Sequence, residues 1–181
     1  MNGQSFAGGL PLDLAAAPSD RLASLFDAHH DRLYRLARRL APSKDDALDL
    51  VQETFLKAAR SPQSIPAGYS QEEAWLVRVL INIQRDQWRK KAIRDRHDEA
   101  GPPAGASDPE AALIAENMVW QALDVLPPRR RAIVVMYELE GLAIPAIAAL
   151  LGITGVTVRW HLSAARRELA VALKAYTGDR K

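Results

Sequence analysis

Apolar residues recur at three- and four-residue steps along most of this chain, and no stretch alternates cleanly between apolar and polar, so the pattern predicts helices and no strands. Leu22, Leu25, His29, Leu33, Leu36 and Leu40 form the first stripe, with Ser19 as its N-cap and Pro42 closing it. Ser43 and Asp46 fit a capping box. The helix they open places Ala47, Val51, Phe55 and Ala58 on one side and Asp45, Asp49, Gln52 and Glu53 on another. A loop at 61–69, with Pro62, Pro66 and Gly68, precedes a second capping box at Ser70 and Glu73 and a helix over about 73–96. The stretch DEAGPPAGAS at 98–107 has two prolines, two glycines and only small apolar residues, so it reads as a linker. Asp108 and Pro109 then suit a helix start, and Ala115, Val119, Ala122 and Leu126 mark its buried side. Pro127 and Pro128 break that helix, the next spans 129–140 with Ile133, Val134 and Tyr137 inside, and Gly141 ends it.

This pattern predicts an all-α chain of two small helical domains. A disordered extension at 1–18 comes first, then a domain at 19–96, a flexible linker at 97–108, a second domain at 109–176 and a tail at 177–181.

The segment 147–169, IAALLGITGVTVRWHLSAARREL, has the layout of a helix-turn-helix. On its second helix Val158, Leu162, Ala165 and Leu169 share a stripe that can be buried, and Val156, Arg159, Trp160, Ser163 and Arg167 share the opposite one. The major groove of B-form DNA is wide enough to admit such a basic, hydrogen-bonding face. A solvated helix of an ordinary bundle shows the same split, so this segment alone leaves both readings open.

Composition narrows the class. The formal net charge of the 181 residues is only +2, with 24 basic against 22 acidic side chains, so the placement of charge matters more than its sum. Acidic residues line the helix opened at Ser43. The helix at 73–96 is basic from Arg78 on, with Arg85, Arg89, Lys90, Lys91, Arg94 and Arg96 set against Asp86 and Asp95. Cysteine is absent, which excludes disulfides and thiolate chemistry and agrees with a reducing cytoplasm. No apolar run approaches the roughly 18 residues that span a bilayer, so a cytoplasmic protein without membrane insertion is expected. His29, His30 and Asp31 are adjacent on a helix and point apart, so they form no metal site by spacing. With no phosphate-cradling glycine loop and no nucleophile elbow, neither cofactor, metal nor intrinsic catalysis is expected.

Four segments in order resemble the extracytoplasmic-function (group 4) sigma-70 family over roughly 20–170: ALDLVQETFLKA at 47–58, WLVRVLINIQRDQWRKK at 75–91, ALDVLPPRRRAIVVMYELEGL at 122–142, and the helix-turn-helix. The resemblance implies an RNA polymerase sigma factor. Asp49, Gln52, Glu53 and Phe55 match positions that dock on the clamp of the largest polymerase subunit, although the spacing of Phe55 to Val51 equally fits the core. Asn82, Asp86 and Arg89 match the N-x-x-x-D-x-x-R helix that engages the minus-10 element and a flipped base, with Arg85 and Lys90 on phosphates. The 61–69 loop would form the pocket for that base. Asp86 has a competing role, pairing along its helix with Lys90 or Arg89, and Trp75 and Trp88 read as core residues.

Thr157, Val158 and Arg159 match the opening of the family's minus-35 recognition helix, and Ala165, Arg166 and Arg167 its later turn. Val156 and Ser163 join them on the outer face. Trp160 and His161 stand where the family usually has Ser and Arg, and Ala146 where it has Glu, so the promoter sequence read here is expected to differ from the common one. The family further implies a contact with the flap of the second-largest polymerase subunit, and an anti-sigma factor that makes the chain a stress-responsive switch. With the chain ending at Lys181, no further regulatory domain is expected there. A free-standing helix-turn-helix regulator would leave the first half without a role. A mimic that only sequesters an anti-sigma factor would have no use for Arg89, Lys90, Arg159 and Arg167, and a module without any nucleic-acid role fits least.

Overall fold

The computed structural model describes residues 18–97 and 121–178, and every regular element among them is helical. All of the expected 1–18 extension but its last residue, the linker at 98–107 and the helix start at Asp108 and Pro109 lie outside the described residues, and Pro18 belongs to the first helix.

Helix α1 (Pro18–Leu40) carries the expected stripe, with Leu25, His29, Leu33, Leu36 and Leu40 buried and Leu22 packed beside them. It opens at Pro18, so Ser19 stands in its first turn instead of capping it. Proline suits that position because a first-turn residue has no intrahelical use for an N–H. Helix α2 (Lys44–Arg60) is capped as its sequence predicts, the Ser43 hydroxyl accepting the Asp46 N–H at 3.0 Å. The carboxylate of Asp46 answers the Ser43 hydroxyl itself, at 2.6 Å. Ala47, Val51, Phe55 and Ala58 are buried, together with Leu50 and Thr54.

A short 3₁₀ turn (Pro62–Ser64) leads to Gly68, whose φ of +101° only glycine adopts without strain. Its carbonyl takes the N–H of Glu72, so helix α3 (Tyr69–His97) begins two residues earlier than the second capping box implies and four before the expected start at 73. Ser70 therefore lies inside the first turn, and Glu73 turns away to Arg32 at 3.1 Å.

A helical end at 121–124 gives way to Pro127 as cap and Pro128 as first residue of α4 (Pro128–Val134). The sequence suggests one α-helix to residue 140. Instead α4 passes into a π-helical turn (Val135–Leu139), closed by Glu140 donating its N–H to Val135, and Gly141 at φ +66° ends it. Residues 131–136 are all buried. A helix apolar on every side has to be covered on every side. Helices α5 (Ile144–Leu151) and α6 (Gly155–Gly178) form the expected helix-turn-helix. Helix α4 meets α3 and α1 as well as α6.

The two halves share one core. Leu33, Leu36, Leu76 and Leu80 belong to the same contiguous buried cluster as Leu126, Ile133, Met136 and Ile147, and burying each such side chain is worth about 1.5–3 kcal/mol. Polar groups also cross between the halves. Arg32 holds Glu140 at 2.8 Å, Arg131 donates to the Leu40 carbonyl at 2.9 Å, and Arg78 donates to the Leu150 carbonyl at 3.3 Å. Between them a cleft of about 580 Å³ is lined by Arg32, Ser70, Glu73, Arg78, Ala146 and Leu150. No single helix among the described residues is long and apolar enough to cross a membrane.

Candidate nucleic-acid interface

The turn between α5 and α6 is built from a left-handed glycine and a capping threonine. Gly152 takes φ +63° at the end of α5, and the Thr154 hydroxyl accepts the Thr157 N–H at 3.2 Å to start α6. The two helices bend by 104°, within the range of DNA-binding helix-turn-helix units. Val158, Leu162 and Ala165 are buried and Leu169 packs beside them, while Val156, Arg159, Trp160, Ser163 and Arg167 all face solvent. Thr157 is half-buried, and exposed Arg166 pairs with Glu138 at 3.0 Å.

Trp160 and His161 are tied to α4. The Arg130 guanidinium lies 5.5 Å from the centre of the indole, Glu168 holds the same guanidinium, and the His161 ring meets the indole edge-on at 4.9 Å. Burial, then the charges of Arg130 and Arg129, push the His161 pKa below its ordinary value. Its Nδ1 is buried and has no hydrogen-bond partner among the described residues. A histidine with a depressed pKa resists a proton that the unfolded chain accepts. Its contribution is therefore complete above about pH 6.5, the unfolded value, and is lost as pH falls below it. Melting temperatures between pH 7.5 and 5.5 are expected to decline more steeply for the wild type than for His161→Gln. Identical slopes would assign the decline to other groups.

On α3, Asn82 and Arg85 are half-buried and Asp86, Arg89 and Lys90 are exposed, so all five are accessible to a partner. Asp86 approaches its neighbour Arg85 at 3.7 Å, not Lys90 or Arg89. Trp75 packs against the core as expected, but Trp88 is exposed and does not belong to it. On α2, Asp49 and Gln52 are exposed and Glu53 accepts a hydrogen bond from Gln87 at 3.4 Å. Phe55 is buried, its ring 4.9 Å from that of Phe26. Of the two roles its spacing allows, it fills the core one, and its edge floors an apolar groove with Phe26, Leu48, Gln52 and Leu56 along the rim.

His29 is fully buried against Tyr69 and reaches Glu72 at 3.4 Å, and His30 meets Asp31 at 3.2 Å. No group of three or more metal-ligating side chains occurs among the described residues. Sequence patterning gave no sign of the parts played by Arg130, Glu138 or Glu168, because each belongs to a contact that spans 28 or more residues of chain.

Residues 25–93 match the family model for sigma-70 region 2, and 116–169 that for sigma-70 region 4. The chain is 36% identical over 176 residues to the ECF RNA polymerase sigma factor SigE of Mycolicibacterium smegmatis, covering 92% of this chain and 66% of that protein. It is 32% identical to the ECF RNA polymerase sigma factor SigL of Mycobacterium tuberculosis, covering 88% and 93% respectively. Among solved structures it is similar to the sigma factor RpoE in complex with the anti-sigma factor NepR from Bartonella quintana. That likeness has a TM-score of 0.58 and 26% identity, over 86% of this chain and 96% of that one. It is also similar to CnrH in complex with the cytosolic domain of CnrY, with a TM-score of 0.56 and 25% identity over 85% and 88% of the two chains. With both regions matched and relatives above 30% identity along most of its length, this chain belongs to the extracytoplasmic-function group of sigma-70 RNA polymerase sigma factors.

Proposed function

We propose that the chain binds core RNA polymerase through α2, grips the minus-10 element with α3 and the minus-35 element with α6, and so directs the polymerase to initiate at particular promoters. The observation that carries this reading is the division of charge: one chain presents an acidic, amide-bearing face on α2, a basic face on α3 and a basic recognition face on α6. Carboxylates such as Asp49 and Glu53, with Gln52 between them, suit an arginine-bearing partner, where charge-assisted hydrogen bonds form. Asn82 and Asp86 offer donors and acceptors to an unpaired base while Arg85, Arg89 and Lys90 neutralise phosphates. Melting then needs no catalysis by this chain, since contacts to a trapped base offset an unpairing cost of a few kcal/mol. Bond formation belongs to the polymerase.

Val156, Thr157, Arg159, Trp160, His161, Ser163, Arg166 and Arg167 make up the minus-35 surface, and the second half also meets the flap of the second-largest polymerase subunit. The likeness to the sigma factor RpoE in complex with the anti-sigma factor NepR supports control of this chain by an anti-sigma factor. A cytoplasmic, stress-responsive regulator follows from that reading. Transcription in vitro with core polymerase on genomic fragments tests it. Start-site-specific transcripts are expected only when the chain is added, and the double variant Asp49→Lys, Glu53→Lys is expected to lose them by tenfold or more, as like charge at an interface costs several kcal/mol. DNA binding without any transcript would instead favour a free-standing helix-turn-helix regulator.

A further inference from the structure

We propose that Trp160, positioned by Arg130, reads the 5-methyl group of thymine in the upstream promoter element, a step that rests on the sigma-factor reading of α6. Trp160 is 57% exposed at the middle of the outer face of α6, and Val156, one turn earlier, is 72% exposed. Together they make an apolar strip on a face otherwise formed by Arg159, Ser163 and Arg167. A bare strip of this kind marks a contact surface. The flanking arginines give its occupant a negative charge, which favours nucleic acid over a protein surface.

The indole is held in place. Arg130 stacks on one face of the ring, its side chain only 15% exposed and tied to Glu168, and His161 supports the ring edge-on. An aromatic ring fixed before binding loses little freedom on contact. Arg130 itself is occupied by the ring and by Glu168, so its part is to position Trp160.

In the major groove the donors and acceptors of the base edges are polar, and the one apolar group is the thymine methyl. A tryptophan at the centre of the reading face has that group as its natural partner. The departure from Ser and Arg at residues 160 and 161 thus exchanges a hydrogen-bonding and charged readout for an apolar one.

Holoenzyme reconstituted from core polymerase and the full chain, on a promoter that it transcribes, supplies the test. Each thymine of the upstream element, on either strand, is replaced in turn by uracil, which removes only the methyl group. Wild-type holoenzyme is expected to lose about fourfold in promoter affinity at one or two of these positions, the worth of one buried methyl. Trp160→Ala is expected to bind thymine and uracil templates alike. Arg130→Ala is expected to lose most of the discrimination and Arg130→Lys, which keeps a cation on the ring, to retain it; a merely structural Arg130 would lower both affinities equally. Uracil without effect at every position, or full discrimination in Trp160→Ala, overturns the proposal. Loss of activity in Trp160→Ala on all templates alike, with uracil indifferent in the wild type, overturns it in favour of a protein contact. Failure of the sigma-factor reading is distinct: no template gives a start-site-specific transcript, and the proposal falls with it.

Discussion

Glu140→Lys is expected to part the two halves of the chain. The Glu140 side chain is 10% exposed, and its carboxylate faces Arg32 end-on, with Nη1 to Oε1 at 3.0 Å and Nη2 to Oε2 at 2.8 Å. Arg39 approaches the same carboxylate at 3.4 Å, and Glu73 holds the Nε of Arg32 at 3.1 Å. Burial works against the charge on Arg32, but Glu140 and then Glu73 outweigh it and raise its pKa above the ordinary value. A lysine at 140 would set three cations against one another where two carboxylates now balance two arginines. Breaking one side of such a cluster costs about 3 kcal/mol, and repulsion adds to it.

The consequence reaches function through size. A compact chain of this length has a radius of gyration of about 16 Å and a diameter of roughly 40 Å. Promoter elements centred about 25 base pairs apart are separated by some 85 Å at about 3.4 Å per pair. If α3 and α6 hold these two elements as proposed, the closed chain cannot touch both, and the contacts through Arg32, Arg78 and Arg131 have to open first. Any energy that favours the closed form weakens apparent affinity for polymerase in proportion to the open fraction. Glu140→Lys is therefore expected to increase the radius of gyration in solution scattering by several Å and to tighten binding to core polymerase. An unchanged radius with one unchanged melting transition would show that the shared apolar core, rather than this cluster, keeps the halves together.

What could be read in advance was what short-range geometry determines. The stripe from Leu25 to Leu40, the Ser43 cap on α2, the glycine stop at Gly141 and the buried line Val158, Leu162 and Ala165 all depend on residues within a turn or two of one another. Errors arose where a distant partner outbid a local one. Glu73 fits a capping box with Ser70, yet Arg32, 41 residues away, takes its carboxylate, and Gly68 starts the helix instead. The π-helical turn reflects the same competition. Val135 and Met136 both point inward because α4 is covered on several sides, which no single-helix period foretells. For the candidate site, exposure of the α6 face was legible, but the fixing of Trp160 by Arg130 was not, since the two are 30 positions apart in sequence and meet only in the fold.

Arg131→Ala is expected to destabilise the chain by about 3 kcal/mol, the scale for truncating a large buried side chain together with its hydrogen bonds. The guanidinium is almost fully buried. It pairs with Asp124 at 2.7 Å and donates to the Leu40 carbonyl at 2.9 Å, at the negative end of the α1 dipole. Burial lowers its pKa more than Asp124 restores it, so the protein bears a desolvation cost to keep a cation there. Gln84 donates to the same Leu40 carbonyl, so truncation does not orphan that oxygen. The loss comes from the emptied space under α4 and from the hydrogen bonds of the guanidinium, since the carboxylate of Asp124 is 53% exposed and stays solvated. A change of this size lowers the melting temperature by roughly 10 °C in a chain of this length. Arg131→Met fills nearly the same volume without a charge, and it removes the desolvation cost of the buried cation. If both variants lose equally, the charge at Arg131 is what secures the junction of α1, α3 and α4. If Met recovers most of the stability, volume does, and the cation serves only to make closure of the two halves reversible.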